Sequence, residues 1–212
     1  MKLIDLTHPL RHGAPAFPGD PKLAIWKHGT VASHGYNISQ ISTGSHQGTH
    51  LDAMRHFYAE GRPINNMPLE WFYGPARVLR MPREPKGKIT EEDLKAHEEA
   101  LQPESKIFID TGWHRKFGAN EFFTEFPGLT QEAAHYLVSR GIRVLGLDIP
   151  TVGEDVFEIH HILLHPDAEI VIVESVANLD HAPDEFVWSG FPLNFEEGDG
   201  SPIRSVAICA GE

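Results

Sequence analysis

The stretch His46-Gln47-Gly48-Thr49-His50-Leu51-Asp52-Ala53-Met54-Arg55-His56 gathers three imidazoles and one carboxylate within eleven residues. Neutral imidazole and carboxylate are the ligands a borderline divalent metal such as Zn²⁺ or Mn²⁺ takes. Gly48 lets the backbone bend so that His46, His50 and Asp52 can converge. His50 and Asp52, two residues apart, fall on one side of an extended chain. Three protein ligands leave a position for water, which separates a catalytic site from a structural one. His56 reads either as a fourth ligand or as a proton shuttle, with an ordinary pKa of about 6.5. The shuttle is the better reading, because a fourth ligand crowds out the water. A metal-free, His-rich surface loop is the competing reading, and the ordered spacing argues against it.

On either side of this stretch the chain alternates short apolar runs with loop signals. Upstream, Lys2 to Leu6 reads as a strand, Pro9 to Pro21 as a proline-rich loop, and Asn37 to Thr43 as a second strand ending at Gly44. The loop through Pro15, Pro18 and Pro21 reads as a lid or a dimer contact. Downstream, Ala76 to Leu79 reads as a strand. Thr90 caps an expected helix over Glu91 to Leu101, with Asp93 as capping-box partner. Lys106 to Asp110 follows as a strand. Thr130 caps a helix over Gln131 to Arg140, which Gly141 stops. Ile142 to Leu147 and Ile170 to Val173 are apolar throughout, as strands buried on both faces are. Val156 to Leu164 reads as a helix and Ile203 to Ala210 as a closing strand. The pattern is α/β, a mixed sheet with flanking helices, and residues 1–212 read as one domain.

A second group of candidates lies beyond the motif. His160 and His161 sit on the expected helix, and Glu174 ends a buried strand. A charge there is either a solvated terminus or a functional group. His8 follows a strand and is tempting as an extra ligand. His165, before Pro166-Asp167, reads as a surface helix-end residue. His28, His34, His97 and His135 have no partner at ligand spacing. Trp113 and Cys209 read as core residues.

Composition narrows the function classes. The chain has 212 residues, 41% of them hydrophobic and 23% charged, with 18 basic and 30 acidic side chains and a net charge of −12. Such acidity disfavours nucleic acid and anionic membrane surfaces as partners. One cysteine among the 212 residues permits no internal disulfide. No apolar run nears the roughly 20 residues that span a bilayer, and the N-terminus lacks a signal-peptide stretch. A cytoplasmic protein acting on a small molecule is the expectation.

Taken together, these residues resemble the cyclase-like metal-dependent hydrolase family, which includes bacterial kynurenine formamidases and isatin hydrolases. Its signature is His-x-Gly-Thr-His-x-Asp-x-Pro-x-His. Family-like stretches also run through Ile4 to Leu10, Phe17 to Asp20, Thr111 to Trp113, Gly146 to Val152 and Asp199 to Arg204. The resemblance implies a swivelling β/β/α fold, a homodimer, and one or two Zn or Mn ions per chain. It implies His46, His50 and Asp52 as ligands and His56 as the proton donor and acceptor. Glu174 and a further His match a second metal site bridged by Asp52. The Leu-Leu pair that follows selects His160 over His161, although the spacing to Glu174 is two residues longer than the family's. Met54 stands where the family has proline, and Phe17 where formamidases carry a substrate-packing tryptophan. The implied reaction is hydrolysis of a small amide, such as N-formylkynurenine or a lactam, by metal-activated water. The alternatives are a dehydratase or cyclase, a lactone hydrolase, and a non-catalytic metal-binding protein.

Overall fold

The computed structural model describes residues 1–210. In chain order the strands are β1 (Lys2–Asp5), β2 (Ala24–Gly29), β3 (Ile38–Ser42), β4 (His50–Asp52), β5 (Tyr73–Arg80), β6 (Lys88–Ile89) and β7 (Lys106–Asp110). They continue as β8 (Gly128–Leu129), β9 (Val144–Leu147), β10 (Val171–Glu174), β11 (Glu185–Ser189), β12 (Gly200–Pro202) and β13 (Val206–Cys209). The helices are α1 (Val31–His34), α2 (Glu91–Lys95), α3 (Gln131–Arg140) and α4 (Val156–Leu163). Nine strands form one mixed sheet in the order β1-β13-β11-β5-β7-β9-β10-β4-β12. The central run β5, β7, β9 and β10 is parallel, and the remaining pairs are antiparallel.

The period-two alternation of the central strands builds two cores. Ile107, Ile109, Leu145, Leu147 and Ile172 face one side, where Ala133, Leu137, Ile159 and Leu163 of α3 and α4 cover them. Phe108, Val144, Val171 and Val173 face the other side, against Ile4, Phe186, Trp188 and Ala207 of β1, β11 and β13. Those last strands belong to the same sheet, so the sheet curls over its own face. A bridge between Thr7 and Val176 joins the far end of the curl to the segment after β10. The layers are therefore β on β on α, as the resemblance implies. Gly146 permits this packing, since a Cβ there would fall on the Phe108 ring. Burial of a side chain such as Phe108 contributes roughly 2–3 kcal/mol.

Three expectations change in detail. The helix expected over Glu91 to Leu101 stops at Lys95, and Glu98–Ala100 is a separate 3₁₀ turn. Arg140 takes over that turn from outside, donating to the Leu101 carbonyl at 2.9 Å and the Glu98 carboxylate at 2.9 Å. The strand expected over Asn37 to Thr43 exists as β3 but pairs only with β2, in a ribbon apart from the main sheet. Every β3 residue is exposed. Cys209, read as core, is half-buried at the rim of the second cluster, because β13 lies next to the edge strand β1. Trp113 is buried in the first core as expected.

Candidate metal centre

The loop before β4 turns at Gly48, whose φ of +64° lies where glycine is favoured. This turn sets His46 beside β4, and the strand presents His50 and Asp52. Antiparallel pairing puts Glu174 of β10 directly opposite His50. Helix α4 brings His160 in from the opposite side. The five side chains meet around Asp52. His46 Nδ1 lies 2.7 Å and His50 Nε2 3.3 Å from Asp52 Oδ1, while His160 Nε2 lies 3.5 Å from Asp52 Oδ2. Glu174 closes the ring at 3.5 Å from His50 Nε2 and 3.3 Å from His160 Nε2.

The outward nitrogens of two histidines are held by backbone carbonyls. His50 Nδ1–H donates to Gly48 at 2.8 Å and His160 Nδ1–H to Val156 at 2.7 Å. These bonds select the tautomer whose Nε2 lone pair points inward. His161 is exposed and bonds Phe157 instead, so the helix phase chooses His160 between the adjacent pair.

The electrostatics call for a cation. Asp52 and Glu174 are 1% and 4% exposed, and Asp52 Oδ2 and Glu174 Oε1 have no hydrogen-bond partner. A buried, unsatisfied carboxylate oxygen is costly unless something positive meets it. Burial pushes Glu174 up, and the neighbouring Asp52 charge adds to this. Burial works against Asp52 as well, but His46, His160 and His50 hold its carboxyl well below the usual range. Burial also disfavours charge on His46 and His160, yet Asp52 with Asp199 or Glu174 lifts each to about 10. Three imidazoles and two carboxylates fit a divalent cation.

His56 lies close enough to group with Asp52 and His160, and with His46 and Asp199, and it also packs on the ring of ligands. Its imidazole stacks on His46 with centroids 3.8 Å apart. Burial, with His46 and His160 close by, brings it down to about 4, so it is neutral and proton-accepting at pH 7. A cavity of about 300 Å³ opens onto His46, His50, His56, His160 and Glu174. Phe17, Phe57, Phe117, Phe123 and Phe157 form its apolar walls. Phe57 also stacks on His160, with centroids 4.5 Å apart and planes 2° apart.

Residues 4–154 match the family described as putative cyclase. The chain belongs to that family. Among its relatives, the kynurenine formamidase of Bacillus anthracis is 31% identical over 214 residues, covering 97% of this chain and 96% of the relative. The kynurenine formamidase of Bordetella petrii is 29% identical, covering 97% of each. The structure of an isatin hydrolase bound to the product analogue thioisatinate matches with a TM-score of 0.89 at 24% identity, covering 99% of this chain and 93% of the other. At that identity the likeness speaks for a shared fold.

The putative-cyclase fold thus gathers His46, His50, Asp52, His160 and Glu174, with His56 and Phe17 at the same cavity. It keeps His8 out. His8 is buried, stacked on Phe117 at 3.7 Å, and its Nε2 has no partner. Two features escaped the sequence reading. Asp199 accepts from His46 Nε2–H at 3.0 Å, and its only sequence signal was membership of a family-like segment. A second buried group, Asp110, His114 and Asp148, also has the composition of a metal triad.

Proposed function

We propose that this chain hydrolyses the C–N bond of a small aryl amide, with an N-aryl formamide of the N-formylkynurenine type as substrate. A metal-dependent amide hydrolase is what the formamidase relatives and the His/Asp/Glu centre together support. The observation that carries the reading is the pair of orphaned buried carboxylate oxygens, ringed by three imidazoles at the floor of an aromatic cavity.

In this reading His46, His50 and Asp52 hold one divalent ion, Zn²⁺ or Mn²⁺. Asp52, His160 and Glu174 provide for a second. Such an ion, when bound, polarises the amide carbonyl and lowers the pKa of water toward about 7. His56 accepts the proton of the attacking water as the new C–O bond forms. It then passes that proton to the amide nitrogen as the C–N bond breaks, releasing amine and carboxylic acid. Phe17, Phe57 and Phe123 flank the aryl ring and exclude water. Phe17 offers no N–H donor, so a strained lactam is the second substrate class worth assaying.

The whole of residues 1–212 serves as one catalytic domain in this account, in a cytoplasmic protein. No helix among the described residues is long and apolar enough to cross a membrane. The homodimer expectation draws support from the β2–β3 ribbon, since a lone two-stranded ribbon is marginal in water. Ile38 and Ile41 on it, and Tyr36 just before β3, are 44%, 62% and 56% exposed. Lys22 to Ser45 contains no acidic residue in a chain of net charge −12, so a second copy offers complementary charge.

Formate release from N-formylkynurenine, before and after chelation and with Zn²⁺ or Mn²⁺ restored, tests the function. Chelator-sensitive turnover restored by one ion supports it and names the metal. Metal-loaded protein inert on aryl formamides and lactams alike refutes it.

A further inference from the structure

Each of the three histidines in the ring has one nitrogen turned inward to the carboxylates and one turned outward to an acceptor. For His50 and His160 the outward acceptors are the carbonyls of Gly48 and Val156. Backbone carbonyls come with the fold. For His46 the outward acceptor is a side chain: Asp199 Oδ2, 3.0 Å from Nε2, while Nδ1 lies 2.7 Å from Asp52. Without that acceptor either nitrogen of His46 can carry the proton of the neutral ring, and the ligating tautomer is no longer chosen.

Asp199 is itself well placed to do this. Its backbone is pinned to the motif, since Ala53 N–H donates to the Asp199 carbonyl at 2.9 Å and Gly200 pairs with Asp52 across β4 and β12. Ser45 Oγ–H donates to Asp199 Oδ2 at 3.2 Å and holds the carboxylate in its rotamer. Gly200 makes room for the imidazole, because a Cβ there would come within 2.6 Å of His46 Cε1. The same Asp199 oxygen lies 3.8 Å from His56 Nδ1, on the ring that stacks against His46.

We propose that Asp199 is the positioning residue of this centre. It takes the Nε2–H of His46, which keeps Nδ1 as the inward, metal-ligating nitrogen, and it acts on His56 through its charge, 3.8 Å from Nδ1, and through the His46 ring stacked on His56. The second half rests on the hydrolase reading above; the first half rests only on the centre holding a divalent cation. Outer partners of metal-bound histidines typically change metal affinity by about 10–100-fold when removed.

The test is Zn²⁺ affinity, measured by competition with a chromogenic chelator, for the wild-type chain, Asp199→Ala and Asp199→Asn. Their kcat and KM at saturating Zn²⁺ follow, together with those of His56→Ala and the His56→Ala/Asp199→Ala double variant. Asp199→Ala is expected to bind Zn²⁺ about 10–100-fold more weakly. Asp199→Asn, whose amide oxygen still accepts from His46, recovers most of that loss and guards against a mere folding defect. At saturating Zn²⁺, kcat of Asp199→Ala falls roughly tenfold with KM unchanged, and the loss vanishes in the His56→Ala background because the two act as one unit. Wild-type Zn²⁺ affinity in Asp199→Ala overturns the proposal. A kcat loss that simply adds to that of His56→Ala overturns its second half. A wild-type chain that binds Zn²⁺ but hydrolyses no aryl amide refutes the functional reading, while the affinity comparison still decides the role of Asp199.

Discussion

Two buried clusters in this molecule draw on the same residue types and satisfy them differently. The centre around Asp52 and the group Asp110, His114 and Asp148 each bring carboxylates to imidazole in the interior. At the second, the protein satisfies the carboxylates itself. Asp148 accepts from Thr111 N–H at 3.1 Å, Thr111 Oγ–H at 2.6 Å and Trp113 N–H at 2.9 Å. Asp110 accepts from Arg80 at 2.9 Å and from Gly112 N–H at 3.1 Å. His114 bridges Asp148 at 3.3 Å and Asp180 at 3.2 Å. Burial disfavours its charge, but these acids raise its pKa. No nitrogen or carboxylate oxygen of Asp110, His114 and Asp148 is left buried without a partner. At Asp52 and Glu174, in contrast, one buried oxygen each accepts no well-formed hydrogen bond, with His160 Nε2 standing 3.5 and 3.3 Å away. Residue type alone does not mark a metal site; unspent acceptor capacity does.

The largest effects should come from breaking one cluster and then the other. Asp52→Asn is expected to lower turnover by roughly 10³-fold and to lose metal, since several kcal/mol of stabilisation go with the ion. Its stability in chelator should fall as well, because Asp52 is the charge that stabilises His46 and His160, so metal content is the readout that separates the clusters. Asp148→Ala should keep the metal. Metal content per folded chain stays at the wild-type value, while removing one partner of a buried pair costs about 3–5 kcal/mol, a fall of roughly 10 °C in Tm. Elemental analysis and thermal unfolding on the two variants check both arms. Equal metal loss in Asp148→Ala would erase the distinction.

Next in size is His56→Ala, which should reduce kcat by roughly 10²–10³-fold, the usual range for a general acid–base group, with metal content intact. Loss of metal from this variant would make His56 a ligand instead of the shuttle.

Proton counting sharpens the same comparison. In the metal-free chain His46 and His160 titrate at about 10, against an ordinary value near 6.5. A folded pKa raised above the unfolded one means that their stabilisation is complete below about pH 6.5. It is lost as pH rises toward 10. Cation loading needs these rings neutral, so at pH 8 it should release about two protons per chain, and affinity should climb with pH. Calorimetry in buffers of different ionisation enthalpy counts them. His114 should release none. His8 runs the other way. Burial, aided by the His114 charge, depresses it to about 4, so its contribution is present above pH 6.5 and is lost as pH falls toward 4.

The smallest change expected is for Phe17→Ala. It should raise KM several-fold with kcat nearly kept, because the ring is a wall that binds without reacting. Steady-state kinetics on an aryl formamide decide it, and a kcat effect exceeding the KM effect would place Phe17 closer to the chemistry.

Much of this was legible along the chain because it is local. The spacing of His46, His50, Asp52 and His56 lies within one short segment, and a turn at Gly48 followed by a strand can be read from residue types. The apolar runs of β9 and β10 announced a sheet buried on both faces, and Thr90 and Thr130 marked helix starts through capping chemistry. What stayed hidden depends on contacts across the sequence. Asp199 meets His46 from 153 positions away, through the pairing of β12 with β4. The resemblance named His160 over His161, and the contact itself rests on how α4 is rotated against Glu174. The turn that follows α2 is held by Arg140, which lies on another helix. Composition and spacing determined which donors the chain offers. Only the curled sheet decided which are spent on each other and which are left for a cation, because satisfaction of a buried polar atom is a property of its neighbours in space.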